Sequence, residues 1–252
     1  MIEVKPRSFF DLVGFPTSVA SSGHADAMET HGTTVLALRY DGGVLVLADR
    51  RATMGNLVMY DQAEKIIAID DSTVVAISGS FARSVEVCRL LKHSLKYYKR
   101  MHLNEMSLEG KLQEISRALA SNLAMALQGI GVFLPIVAAK NPKNGQFDVY
   151  FFDGAGARFE NADYACAGSG SERIRGIFEY LTRTQGPWGL RKLDSVLLDG
   201  LRMLDIAADL DSATGGFGKI LPAAKVLSSD GVSDVPAEEL ERARGQVLTA
   251  GA

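Results

Sequence analysis

The tetrapeptide His31-Gly32-Thr33-Thr34 stands at the head of the strand-like run Val35-Leu36-Ala37-Leu38, and it is the arrangement in this sequence that could do chemistry. A threonine inside a chain is a weak nucleophile. If the peptide bond after Gly32 is cut, the Thr33 hydroxyl and its freed α-amine sit on one residue, and nucleophile and base come together without a histidine. Before the cut the Thr33 nitrogen is an amide and cannot serve as a base, so residues 1–32 would act as an inactivating cap. Gly32 has no Cβ, which lets the hydroxyl approach the preceding carbonyl for self-cleavage. The competing reading of Gly32 is an ordinary flexible junction.

Two charged residues lie where such a threonine would need them. Asp49, in Ala48-Asp49-Arg50-Arg51, ends a second strand-like run, and Lys65 opens a third. Taken singly, the first reads as a surface ion pair and the second as a solvated charge. Beside an N-terminal threonine, a buried ammonium held by a carboxylate would favour the alkoxide and keep the neighbouring amine unprotonated.

Other chemistries find little support. The sequence has no G-x-S-x-G, C-x-x-C or H-E-x-x-H, and Gly218-Lys219 is followed by Ile220, so it is not a phosphate loop. Metal, nucleotide and serine-hydrolase readings fall with those motifs, and no cofactor is expected. Of the four histidines, His24 and His31 lie in the leader, while His93 and His102 sit among Lys92, Lys96, Lys99 and Arg100 on a solvated helix face. A net charge of −3 with scattered Lys and Arg gives no footprint for nucleic acid or an anionic membrane. Two cysteines, Cys88 and Cys166, are too few for a disulfide framework and fit a reducing cytoplasm. Lys5 and Arg7 ahead of an apolar stretch mimic a secretory signal, but Asp11 and Pro16 interrupt it. The uncharged stretch 118–139 contains Ser121, Asn122, Gln128, Gly129, Gly131 and Pro135, and reads as a helix end, a turn and a strand rather than a membrane span.

The elements that must position these residues follow from periodicity. Residues 1–32 lack it, and residues 33–252, with the chain 47% apolar overall, can form one domain with a sizeable core. Strands are expected at 33–40 and 44–49 about the turn Asp41-Gly42, and at 65–69 and 73–77. Val85, Cys88, Leu91, Leu95 and Tyr98 recur at helical spacing, as do Leu108, Leu112, Ile115, Leu119 and Leu123 after the N-cap candidate Ser107. Strands return at 132–139, 147–152 and 164–167, helices at 171–181 and 190–208, and a last strand at 223–227. A charged stretch, 238–244, closes the chain. This order lacks strict βαβ alternation, and the continuous apolar runs Val44-Leu45-Val46-Leu47 and Val74-Val75-Ala76-Ile77 imply strands buried on both faces. The expected fold class is therefore α+β: two antiparallel sheets face to face, each covered outside by a helix pair.

Separated motifs in order carry a resemblance: G-T-T at 32–34, A-D-R-R at 48–51, Lys65, S-G-S at 78–80, G-S-G-S at 168–171 and D-S-A-T-G-G at 211–216. From about His31 to Pro236 the chain resembles the β-type subunits of the proteasome core particle, of bacterial type, within the N-terminal nucleophile (Ntn) hydrolases. The resemblance implies the four-layer αββα sandwich. It also implies Thr33 as catalytic threonine, Asp49 and Lys65 as its charged partners, and Gly79 as the backbone donor of an oxyanion hole. Ser169, Asp211 and Thr214 would form the polar cluster near the threonine amine. An α-amine, with a reference pKa of about 7.7 to 8 against about 10.4 for lysine, is the better-matched base, which leaves Lys65 as electrostatic partner.

By position in the family, Ala52, Ile77 and Phe81 would line the primary specificity pocket, with a preference for cleaving after apolar residues. Val35 stands where many relatives have a third threonine, and Ser78 and Ser80 flank Gly79 where alanine and threonine are common. The function implied is a threonine endopeptidase in a closed chamber that degrades unfolded polypeptides. The partners implied are α-type subunits, further copies of the chain in heptameric rings, and an ATP-dependent unfoldase ring acting through the α ring. The alternatives are an HslV-like chambered peptidase, a non-catalytic ring subunit and a small-amide Ntn hydrolase.

Overall fold

The computed structural model describes residues 32–250 except 55, 56, 162 and 219. Apart from Gly32, the leader assigned to residues 1–32 lies outside the described residues, as do the final two positions. Strands β1 (Thr34–Tyr40) and β2 (Gly43–Ala48) form the expected hairpin, in register from Val35 opposite Ala48 to Tyr40 opposite Gly43. β3 (Ala52–Met54) and β4 (Leu57–Tyr60) make a small separate hairpin, and β5 (Ile66–Asp70) and β6 (Thr73–Ala76) pair next. Helices α1 (Phe81–His102), α2 (Leu108–Ala120) and the short α3 (Leu123–Ala126) follow. Then come β7 (Ile136–Lys140), β8 (Phe147–Phe152), β9 (Arg158–Asn161) and β10 (Tyr164–Gly168). Helix α4 (Ser171–Gln185), a single 3₁₀ turn (Trp188–Leu190), α5 (Leu193–Leu210), β11 (Ala223–Ser228), β12 (Gly231–Asp234) and α6 (Ala237–Ala250) complete the chain.

Two five-stranded antiparallel sheets result, one ordered β10-β1-β2-β11-β12 and the other β5-β6-β7-β8-β9. Alternation along each strand sends successive side chains to opposite faces. Val35, Ala37, Val44, Val46 and Ala48 of the first sheet meet Ile66, Val74, Ala76, Ile136 and Ala138 of the second. The other face of the first sheet carries Leu36, Leu38, Leu45 and Leu47 against Ile174, Phe178, Val196, Leu201 and Leu204 of α4 and α5. The other face of the second sheet packs Val75, Ile77, Val137 and Phe152 on Val87, Leu91, Leu95, Leu112 and Ile115 of α1 and α2. Three cores thus separate four layers, αββα, as the double burial of the strands implies.

Several elements depart from the sequence expectation. The charged stretch 238–244 belongs to α6, because Leu240, Ala243 and Val247 recur at helical spacing and join the α4/α5 core while the charges between them face outward. That face therefore carries three helices rather than a pair. The strand expected from Val132 begins only at Ile136, after Pro135. The helix expected from Leu190 begins at Leu193, behind the 3₁₀ turn. Ser107 does cap α2, accepting a hydrogen bond from the Gly110 N–H at 3.1 Å. Within 118–139 the chain runs from the end of α2 through α3, with left-handed backbone at Gly129 and Gly131, into β7. Among the described residues no helix is long and apolar enough to cross a membrane.

Candidate active site

Every residue of interest lies at the end of an element. Thr33 directly precedes β1, Asp49 follows β2, Lys65 precedes β5, Ser169 follows β10, and Asp211 and Thr214 sit in the turn leaving α5. β1 and β2 are neighbours, so the Thr33 and Asp49 ends of the hairpin coincide, and the Asp49 N–H donates to the Thr34 carbonyl at 3.1 Å.

Asp49 is 2% exposed, and both its carboxylate oxygens are saturated. Oδ1 accepts from the Thr34 N–H at 2.8 Å and from Lys65 Nζ at 2.7 Å. Oδ2 accepts from the Arg51 N–H at 3.0 Å and the Gly215 N–H at 2.9 Å. Lys65 is equally buried and also donates to the Arg51 carbonyl at 2.5 Å. Burial pulls the Lys65 ammonium below its usual pKa, and the Asp49 charge and hydrogen bond partly oppose that. Neither residue is the surface charge that each resembles in isolation. The arginines beside Asp49 take other partners, Arg50 pairing with Glu64 at 3.8 Å and Arg51 with Asp61 at 3.1 Å.

A second network joins the first through Thr34. The Thr34 and Thr214 hydroxyls are 2.7 Å apart, and Thr214 Oγ1 donates to Asp211 Oδ2 at 2.6 Å. Ser169 Oγ donates to the same oxygen at 2.6 Å. Burial works against the Asp211 charge, but the Ser169 and Thr214 hydroxyls, the Ala213 N–H and the Arg173 charge outweigh it and hold the carboxyl below its usual range.

Glycines make this proximity sterically possible. A Cβ on Gly170 would come within 2.4 Å of Thr34 Oγ1 and 2.7 Å of Thr214 Oγ1. At Gly168, with φ +99°, it would meet the Thr33 carbonyl oxygen at 1.7 Å. The same holds at the expected cut: a Cβ on Gly32 would lie 2.0 Å from the Ala213 Cβ and 2.5 Å from its carbonyl oxygen. A side chain at position 32 is therefore excluded by the close approach of Ala213. The Gly32 N–H donates to Thr53 Oγ1 at 2.9 Å, and the Thr33 hydroxyl donates to the Gly32 carbonyl oxygen at 2.8 Å.

Six of the sequence candidates, Thr33, Asp49, Lys65, Ser169, Asp211 and Thr214, are thus brought together, five of them by side-chain hydrogen bonds that converge on Thr34. Gly79 lies outside that network, after β6, bridged to Phe133 with φ +91° and barred from carrying a Cβ by the Val132 carbonyl oxygen at 2.2 Å. Of the pocket candidates, Ala52 is half-buried on β3, and Phe81 opens α1 beside a groove of about 1250 Å³. Ile77 is enclosed at 2% exposure in the α1/α2 core. Sequence reasoning did not single out Thr34, Thr53, Gly170 or Gly215. Thr34, Gly170 and Gly215 lie inside the motifs G-T-T, G-S-G-S and D-S-A-T-G-G, whereas nothing local marks Thr53. Among the described residues no group of three or more His, Cys, Asp or Glu side chains could hold a metal ion.

Comparison with known proteins gives the family. Residues 29–187 match the family described as proteasome subunit. A proteasome subunit beta of Jonesia denitrificans is 33% identical over 222 residues, covering 86% of this chain and 71% of the relative. That of Acidothermus cellulolyticus is 36% identical over 211 residues, covering 80% and 70%, and a proteasome subunit beta 1 of Streptomyces avermitilis is 35% identical over 218 residues, covering 84% and 74%. The chain belongs to the proteasome subunit family. The family match spans Thr33, Asp49, Lys65, Gly79 and Ser169 but stops short of Asp211 and Thr214. Those two are tied to it here by the Ser169 and Thr34 hydrogen bonds. Membership of the family, with relatives that are β subunits, makes the chain a β-type subunit of a proteasome core, a peptidase built from several subunits.

Proposed function

We propose that this chain is a threonine-type endopeptidase of a bacterial proteasome core, activated by cutting its own backbone between Gly32 and Thr33. The observation that carries this reading is Asp49 Oδ1, which accepts from both the Lys65 ammonium and the Thr34 amide. One carboxylate atom thereby ties a buried cation to the residue next to the nucleophile.

In maturation, Thr33 Oγ attacks the Gly32 carbonyl carbon across a five-membered ring. The C–N bond breaks as an ester forms, and water then hydrolyses the ester to leave the Gly32 carboxylate and a free Thr33 amine. The hydroxyl already lies 2.8 Å from the Gly32 carbonyl oxygen. In hydrolysis, the same oxygen attacks the substrate carbonyl while the α-amine, directly or through a water, takes its proton. The Gly79 N–H meets the developing oxyanion, a donor worth about 2.7 to 4 kcal/mol. Ser169 and the ionised Asp211 orient the amine. The positive field of Lys65 favours both the alkoxide and an unprotonated amine. The acyl-enzyme is released by water with the amine again as base.

Ala52 and Phe81 would line the primary pocket, backed by Ile77, and favour cleavage after apolar residues. Assembly would follow the family pattern of heptameric rings stacked with α-type subunits, with an unfoldase delivering unfolded chains, in the cytoplasm. The test is intact mass and N-terminal sequencing after co-expression with an α-type partner, alongside fluorogenic peptide hydrolysis. The wild-type chain is expected to begin at Thr33, and Thr33→Ala to keep residues 1–32 attached and lose hydrolysis to background. An assembled particle that cleaves peptides with Gly32 still attached would overturn the reading.

A further inference from the structure

Thr34 is wholly buried, and each of its polar groups points into the site. Its N–H donates to Asp49 Oδ1, its carbonyl accepts from the Asp49 N–H, and its hydroxyl lies 2.7 Å from Thr214 Oγ1. Because Thr214 Oγ1 gives its own proton to Asp211 Oδ2 at 2.6 Å, the Thr34 hydroxyl must be the donor in that pair. The hydrogen bonds therefore run in one direction, from Thr34 to Thr214 to Asp211. Gly170 leaves the room for this, and any Cβ there would strike both hydroxyls.

We propose that Thr34 is a positioning residue for catalysis, whose N–H and hydroxyl together couple the Asp49–Lys65 pair to the Asp211–Ser169 pair and so fix the mature N-terminus between them. The inference rests on the threonine-peptidase reading above. Its physical content is cooperative polarisation: a hydroxyl that receives a hydrogen bond donates a stronger one. Thr34 thus strengthens the Thr214 donation that keeps Asp211 ionised and in place. The charges facing this carboxylate are Lys65 and Arg173, and Arg51 reaches the Ser212 and Thr214 carbonyls of the same turn at 3.3 and 3.4 Å. A valine at position 34 keeps the shape and removes the donor. A serine keeps the donor and removes a methyl.

The experiment uses the particle assembled with its α-type partner, with peptide hydrolysis measured across pH. Thr34→Val is expected to lower kcat by roughly three- to tenfold, as for one lost hydrogen bond to a buried group. KM should be unchanged, and the acid limb of the kcat profile, set by the Thr33 amine, should move to higher pH because an Asp211 carboxylate less engaged by Thr214 stabilises the protonated amine more. Thr34→Ser should restore both kcat and the limb. A wild-type profile in Thr34→Val, or a Thr34→Ser variant as impaired as the valine, overturns the proposal in favour of packing alone. If Thr34→Val does not assemble, Thr214→Val interrupts the same chain one link on and must show the same shift; a normal acid limb there overturns it equally. Sequencing Thr33 at the mature N-terminus, with the Thr33→Ala control inactive, keeps a failure here distinct from failure of the peptidase reading.

Discussion

Asp49 accepts four hydrogen bonds where water does not reach, three of them from backbone N–H groups at Thr34, Arg51 and Gly215. Lys65 by contrast has Asp49 and the Arg51 carbonyl. Removing either partner leaves a buried charge, but not with equal consequence. A carboxylate holding three backbone donors remains well solvated by the protein, whereas an ammonium that loses its carboxylate does not. Asp49→Asn is therefore expected to destabilise by about 3 to 5 kcal/mol, and Lys65→Met by less, although under the proposed mechanism both should abolish peptide hydrolysis. Thermal melts of the two variants against wild type check the order, and a larger loss in Lys65→Met would contradict this account. At this scale the sequence showed residue types well and connections poorly. Thr33, Asp49 and Lys65 could be picked out only as a set, because Asp49 and Lys65 taken singly read as ordinary surface charges. Thr34 could not, because a threonine in a strand looks ordinary until its hydroxyl is seen to have Thr214 as partner, 180 residues away.

Asp70 ties two elements together. Its Oδ1 accepts from the N–H of Ser72 at 3.0 Å and its hydroxyl at 3.1 Å, closing the β5–β6 turn, and its Oδ2 lies 2.6 Å from Lys111 Nζ on α2. Burial resists the Asp70 charge, but the Lys111 hydrogen bond and charge, with Ser72 and Thr73, outweigh it and hold the carboxyl below its usual range. A carboxyl depressed in the folded state contributes stability that is present above its unfolded pKa, about 3.9, and is lost as pH falls through the folded value. Asp70→Asn should lower Tm at pH 7, by an amount equivalent to about 1 to 3 kcal/mol. It should also flatten the fall of Tm below about pH 4; a variant as acid-labile as wild type would refute the assignment. The elements legible beforehand were the β1–β2 and β5–β6 hairpins, α1, α2, β7, β8, β10, α4, α5 and β11, with shifted starts at β7 and α5. β3 and β4 were missed because Leu57, Val58, Met59 and Tyr60 are all exposed and show no alternation. α6 was missed because its charges hide a narrow stripe of Leu240, Ala243 and Val247.

The whole molecule divides its apolar residues by size. The layer between the sheets is mostly valine and alanine, while leucine and aromatic side chains fill the two layers under the helices. Small side chains let the sheets lie close and keep the strand ends that carry the site in fixed relation. Thr33 itself stands one residue ahead of β1, whose ladder to β10 starts at Thr34 and to β2 at Val35. A cut before Thr33 therefore unzips nothing. Among the described residues it would surrender two hydrogen bonds, from the Gly32 N–H to Thr53 and from the Thr33 hydroxyl to the Gly32 carbonyl, and trade an amide for an amine. Under the proposed self-cleavage the latent and working forms would share one scaffold, and amide exchange in β1, β2 and β10 should be the same in an uncut Thr33→Ala particle and a mature one; extensive loosening in either would contradict this. Such a switch would store no spring: set by a single bond, it could not be reset by a ligand or a change of shape, and it would confine timing of the proposed protease to whatever brings the uncut chain to its partners.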